Sequence, residues 1–131
     1  MKKISILAMT LLAASSVYAA PATVCDAPTT AGNGSAAIDG TLGFTAAAGG
    51  ATGFVINTFT PKCSANVYAA VEQSEISLAA AAGSKKGKNM FSGSTNGGGV
   101  KPNGTSYPNG VSEAQAKTEV TAALAAGAGS N

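Results

Sequence analysis

Short apolar runs of period two, punctuated by glycine, asparagine and serine, make up most of this chain, and a helical period appears only near its end. The strongest strand pattern is Gly53 to Thr60, Gly-Phe-Val-Ile-Asn-Thr-Phe-Thr, dense in β-branched and aromatic residues and stopped by Pro61. Extended backbone there turns Phe54, Ile56 and Thr58 to one side and Val55, Asn57 and Phe59 to the other. From Ser64 to Glu72, Val67, Ala69 and Val71 alternate with Tyr68, Ala70 and Glu72, the pattern of a strand with one wet face. Gln73-Ser74 then turns the chain into a further strand, Glu75 to Ala81, with Ile76, Leu78 and Ala80 as its inward set. Gly83-Ser84-Lys85-Lys86-Gly87-Lys88-Asn89 reads as a hairpin tip and Asn89 to Ser94 as its return strand.

Weaker strands are expected at Ser35 to Asp39 and Thr41 to Thr45, around the turn signals Asn33-Gly34 and Asp39-Gly40, with Ala46 to Ala51 as a loop. Ser92 to Gly110 carries Asn-Gly pairs at Asn96, Asn103 and Asn109 and two prolines, so it reads mostly as turns and loop, with a short edge strand around Val100. Ser112-Glu113-Ala114-Gln115 is a capping box that opens a helix over about 113–126, with Ala116, Val120 and Leu124 on its apolar face and Glu113 paired to Lys117. Gly127 is the expected stop, and 127–131 the expected disordered tail. The predicted fold is mainly β: one domain over 20–126, a small antiparallel sheet or sandwich stapled by one disulfide, with a C-terminal α-helix.

Residues 1–19 change what the rest can be. Lys2 and Lys3 precede an apolar run from Ile4 to Ala14, and Val17-Tyr18-Ala19 is a small-residue cleavage pattern, so 1–19 reads as a bacterial secretory signal peptide cut after Ala19. The run is shorter than the roughly 20 apolar residues a membrane-spanning helix needs, and no later segment is longer, so no transmembrane segment is expected in the mature chain. A lipoprotein signal fits poorly, because Val24 precedes Cys25 where a small residue is required. The expected location is periplasmic, cell-surface or extracellular. In an oxidising compartment the two cysteines have one pairing, Cys25 with Cys63.

Charge and residue types exclude several classes of chemistry. The formal charge is +2, and loss of Lys2 and Lys3 with the leader brings it to zero. With no arginine and no tryptophan either, nucleic-acid binding is not expected. The absence of histidine rules out Ser-His-Asp and Cys-His sites and removes the commonest metal ligand, so no catalytic residue, metal or cofactor is assigned. Gly83 to Asn89 invites comparison with a phosphate-binding loop, but Gly83 and Gly87 stand three residues apart instead of four, and Asn89 takes the place of the required Ser or Thr. The acids Asp26, Asp39, Glu72, Glu75, Glu113 and Glu119 include no pair set up for acid–base work; Glu72 and Glu75 flank a hydrated turn. Of the aromatics past the leader, Phe44, Phe54, Phe59, Tyr68 and Phe91 are expected in the core, and Tyr107 in an exposed polar loop.

Lys85, Lys86 and Lys88 are the densest charge on a neutral mature chain. They read either as a contact for an anionic surface or as lysines that keep a hairpin soluble and block edge pairing. The composition, rich in Ala, Gly, Thr, Ser, Asn and Val with few charges, resembles that of bacterial pilin and surface-fibre subunits, and the spacing of Cys25 and Cys63 is similar to that of chaperone–usher pilins. This chain is shorter, places Cys25 only a few residues past the cleavage site, and ends in a predicted helix where those pilins end in a strand. The expected function is that of an exported, non-enzymatic structural or surface-interaction protein, of the fibre or surface-layer type to which the resemblance points, with itself or, through the lysine cluster, cell-surface polysaccharide as partner. The alternative is a soluble periplasmic binding module or inhibitor that uses the 92–110 loop.

Overall fold

A computed structural model describes residues 20–26, 34–42 and 52–128. The leader 1–19, residues 27–33 with the Asn33 turn signal, the expected strand end and loop within 43–51, and residues 129–131 lie outside the described residues.

The elements are β1 (Ala22–Asp26), β2 (Gly34–Ser35), β3 (Val67–Gln73), β4 (Leu78–Ser84), β5 (Met90–Ser94), β6 (Gly97–Pro102) and α1 (Glu113–Ala128). The strands form a single sheet in the order β2-β1-β3-β4-β5-β6, antiparallel at every junction. The architecture is thus mainly β with one C-terminal helix, as expected, and Cys25 is bonded to Cys63 with Cα atoms 5.6 Å apart. β1 was not anticipated: Ala-Thr-Val-Cys-Asp is short and follows the leader directly. It becomes a strand by pairing to β3 through Ala22 with Val71, Thr23 with Ala70 and Cys25 with Ala69.

β4 reads Leu-Ala-Ala-Ala-Ala-Gly-Ser, a composition with little strand propensity. It is extended because both its edges are taken, by β3 along its whole length and by β5 from Ala79 to Gly83. Its small side chains let α1 lie close on one face. Ala70, Ala79, Ala81 and Met90 from the sheet meet Val111, Ala116, Val120 and Leu124 there, with Tyr68 and Tyr107 packed at the margin. The expected inward set of Ile76, Leu78 and Ala80 is therefore in the wrong phase for this core. Ile76 is 76% exposed in the turn, whereas Ala79 and Ala81 lie under the helix. Period two separates two faces of a strand without saying which face the helix will cover. β3 likewise has no wet face, because Glu72 is buried on the helix side.

On the other face Val24, Cys25, Ile38 and Val71 form a second core cluster, closed over by Leu42, Val55, Cys63, Ala69 and Leu78. The expected strand at Gly53 to Thr60 does not form. Only Phe59 pairs, in an isolated antiparallel bridge with Ile38, and Ile56 is 94% exposed. A strand needs a neighbour for its backbone groups, and Val55 N–H goes instead to a side chain, Gln73 Oε1, at 3.3 Å. Of the weaker strand expected at Ser35 to Asp39, Ser35 lies in β2, Ala36 N–H donates to Val24 O of β1 (2.9 Å), and Ile38 makes only the isolated bridge.

Much of the expected 92–110 loop is also structured. β5 and β6 form a hairpin in which Ser94 faces Gly97 across Thr95-Asn96. Glycine suits the junction because Gly97 has φ of 150°. At the start of α1 the capping box is in place: Ser112 N–H donates to Gln115 Oε1 (2.8 Å) and Gln115 N–H to Ser112 Oγ (3.4 Å). The helix continues past its expected stop. Gly127 is buried in its last turn, where a Cβ would lie 2.5 Å from Ser94 Oγ, so this glycine serves close packing instead of ending the helix.

Candidate functional site

The β4–β5 tip is held from both sides. Lys85 N–H donates to Asn66 O (2.7 Å), Gly87 N–H to Ser84 O (3.0 Å) and Lys86 N–H to Ser84 Oγ (3.2 Å). After β6 the chain returns across the hairpin, with Asn103 N–H on Met90 O, Tyr107 N–H on Lys88 O and Val111 N–H on Ser84 O. Two glycines allow that approach. A Cβ on Gly83 would lie 2.6 Å from Val111 Cγ2, and Gly110, with φ of 84°, would place one 1.8 Å from Lys85 O. The side chains of Lys85, Lys86 and Lys88 are exposed on this fixed backbone.

Most carboxylates are engaged elsewhere. Among the described residues the only ion pair is Lys117 with Glu113, at 2.8 Å. Glu113 also accepts from the Thr23 hydroxyl, and the Lys117 ammonium followed by that hydroxyl holds its carboxyl below the usual range. Buried Glu72 accepts from Thr121 of α1. Glu119 accepts from Ser92 Oγ (2.6 Å) and Asn103 Nδ2 (2.9 Å), and that amide also reaches the Tyr107 hydroxyl (2.6 Å). Asp39 closes its own turn by accepting from Thr41 and from Leu42 N–H; the Thr41 hydroxyl, then the Thr41 N–H, holds its carboxyl low. Glu75, in the β3–β4 turn, and Asp26, at the end of β1, are the exposed acids. The lysines at the tip therefore have no carboxylate partner among the described residues.

Beside that tip lies a surface that sequence reasoning missed. Ala82 pairs with Phe91 and Ala80 with Gly93, while Gly93 packs on Val100, so these residues share the face of β4–β6 turned away from α1. No described residue covers it. Phe91 is 46% and Val100 75% exposed. The surface dips into two shallow concavities. One, of about 380 Å³, is lined by Val67, Ala82, Ser84, Lys88, Asn89 and Phe91. The other, of about 210 Å³, is lined by Leu78, Ala80, Gly93, Thr95 and Val100.

The aromatic assignments are corrected accordingly. Phe54, Phe59 and Phe91 are exposed to a large degree, whereas Tyr107, expected in an open loop, packs against the helix-side core. Phe44 lies outside the described residues. Alanine, valine, methionine and leucine fill the helix-side core, with the two tyrosine rings at its margin. No sequence signal marked Phe91 as exposed, since its alternation with Met90 and Ser92 fits either face.

Among the described residues no three His, Cys, Asp or Glu side chains group to hold a metal, and no helix is long and apolar enough to cross a membrane. Comparison with known proteins finds no family model, no curated protein and no solved structure that matches the chain.

Proposed function

We propose that this chain is an exported, non-enzymatic protein that acts by contact, and that the open β4–β6 face is its contacting surface. The observation that carries the reading is the exposure of Phe91 and Val100 on one face of adjacent strands of an ordered sheet, where a monomer with no partner would gain by burying or replacing them. The disulfide suits an oxidising compartment, and the leader pattern at 1–19 supplies the route. A self-assembling surface subunit and a surface-binding protein both use such a face. The binding-module alternative built on the 92–110 loop is less favoured, because 92–102 is largely hairpin and the remainder is clamped to β4 and β5.

Expression of the full chain in a bacterial host, followed by fractionation and intact-mass measurement, tests the reading. The expected product begins at Ala20, carries no free thiol and is retained with the envelope or in sedimenting assemblies. The Phe91→Ser, Val100→Ser double variant should remain folded and lose that retention. An unprocessed cytoplasmic product, or retention unchanged by the double variant, would overturn it.

A further inference from the structure

The open face has a polarity that narrows its partner. Its floor is hydrocarbon, from Leu78, Ala80, Ala82, Phe91 and Val100, and the only side chains with hydrogen-bonding groups around the larger concavity are Ser84, Lys88 and Asn89 at its tip end. A saccharide chain would need directional donors and acceptors along its length, and between that tip end and Ser94-Thr95 at the far end of the smaller concavity the lining side chains offer none. The three lysines stand together at that same end, with no carboxylate partner among the described residues. Of the exposed acids, Glu75 lies in the turn at the opposite end of β4, and Asp26 lies at the tip end of the sheet but on β1, two strands away from β4 and with no ion pair to the tip lysines.

Size argues against a second copy as the occupant. Three strands about 4.8 Å apart, each contributing some five or six residues of about 3.4 Å, present roughly 300 Å². Stable protein interfaces bury about 800 Å² per partner. A face this small suffices where charge attraction to an extended surface adds to it.

We propose that the β4–β6 face, with Phe91 and Val100 as apolar anchors and Lys85, Lys86 and Lys88 along its end, docks on an anionic lipid membrane. The inference rests on the contact reading above and names its partner. Lysine ammonium groups meet the phosphates, while Phe91 and Val100 enter the boundary between headgroups and acyl chains. A fixed tip favours this, since the tip backbone is already ordered before binding.

The test is vesicle flotation of the mature, disulfide-bonded chain at about 0.1 M salt, with phosphatidylcholine vesicles and with equimolar phosphatidylcholine–phosphatidylglycerol vesicles. Binding is expected on the mixed vesicles only, and it should weaken steeply as salt is raised. At about fivefold per lysine near an anionic surface, the Lys85→Ser, Lys86→Ser, Lys88→Ser variant should bind about a hundredfold less tightly. Phe91→Ser, Val100→Ser should lose at least about tenfold, for the apolar area withdrawn from lipid. Thermal unfolding of each variant checks that it is folded; were the double variant unfolded, Val100→Ser alone, on the edge strand, should still weaken binding.

No binding to anionic vesicles, or equal binding to both kinds, overturns the proposal. So does binding insensitive to the apolar substitutions, which would mark a charge-only contact of the kind an acidic polysaccharide makes. A dimer in sedimentation equilibrium that requires Phe91 would place a second copy on the face and overturn it as well. If envelope retention stays dependent on Phe91 while vesicle binding fails, the membrane is the wrong partner and the contact reading stands.

Discussion

At Gln73 a side-chain amide supplies hydrogen bonds that a neighbouring strand would otherwise make. Fully buried at the end of β3, it donates to Asp39 O (2.7 Å) and Leu42 O (3.0 Å) and accepts from Val55 N–H. Gly53 makes room, since a Cβ there would lie 2.4 Å from the amide. Gln73→Leu keeps the bulk and strands these three backbone groups, so urea unfolding should report a loss of about 3 kcal/mol. Nothing in the sequence separates Gln73 from an ordinary turn residue, because its partners come from segments remote along the chain. Glu113 is a milder case. Its folded carboxyl titrates below the unfolded value because Lys117 and Thr23 favour the charged form. The stability it contributes is therefore present above the ordinary glutamate pKa and is lost as pH falls through the depressed folded value. Carbon-13 titration of the Glu113 carboxyl should find it low, and Lys117→Met should raise it.

Elements divide between those that carry their own signal and those that borrow it. The helix start was legible because the capping box and the Ala116, Val120, Leu124 stripe are local, and both are seen in the fold. The β4–β5 hairpin was legible from its lysine-rich tip between two short runs. By contrast, the most strand-like stretch, Phe54 to Phe59, stays outside the named strands, while alanine-rich β4 sits at the centre of the sheet. The three Asn-Gly pairs illustrate the same limit. Gly104 and Gly110 both have positive φ, 78° and 84°, yet a Cβ on Gly104 meets nothing and one on Gly110 meets Lys85 O. Gly104→Ala should cost about 1 kcal/mol through backbone strain alone. Gly110→Ala should cost at least about 3 kcal/mol, and amide exchange should quicken at Tyr107 and Val111, where the loop is clamped to the hairpin.

For the molecule as a whole, the disulfide joins β1 to the segment leading into β3 and closes a separation of 38 residues. The Cys25→Ser, Cys63→Ser variant should lose about 4 kcal/mol in the chain-entropy model, a large share of the roughly 5–15 kcal/mol typical of a whole domain. The corresponding shift in urea midpoint between oxidised and reduced wild type checks it independently. The helix-side core takes none of its buried residues from β1, and β1 reaches α1 mainly through Thr23 and Glu113, so that core does not depend directly on the bond. Reduction should accordingly quicken amide exchange in β1 and at Ile38 more than at Val120 and Leu124.

By itself the sequence determined what depends on residue type and on neighbours a few positions away: the leader pattern, one cysteine pairing, the hairpin tip, the capped helix and the absence of histidine chemistry. Tertiary structure decided what depends on partners distant in the chain. It assigned the helix to the Ala79 and Ala81 side of β4, gave Phe54 to Phe59 one bridge, at Phe59, among the described residues, and set Phe91 and Val100 on a face that no described residue covers. The physical reason is that alternation defines two faces of a strand but burial is a property of the assembled layers, so the surface with most bearing on function appeared only once the sheet had its order.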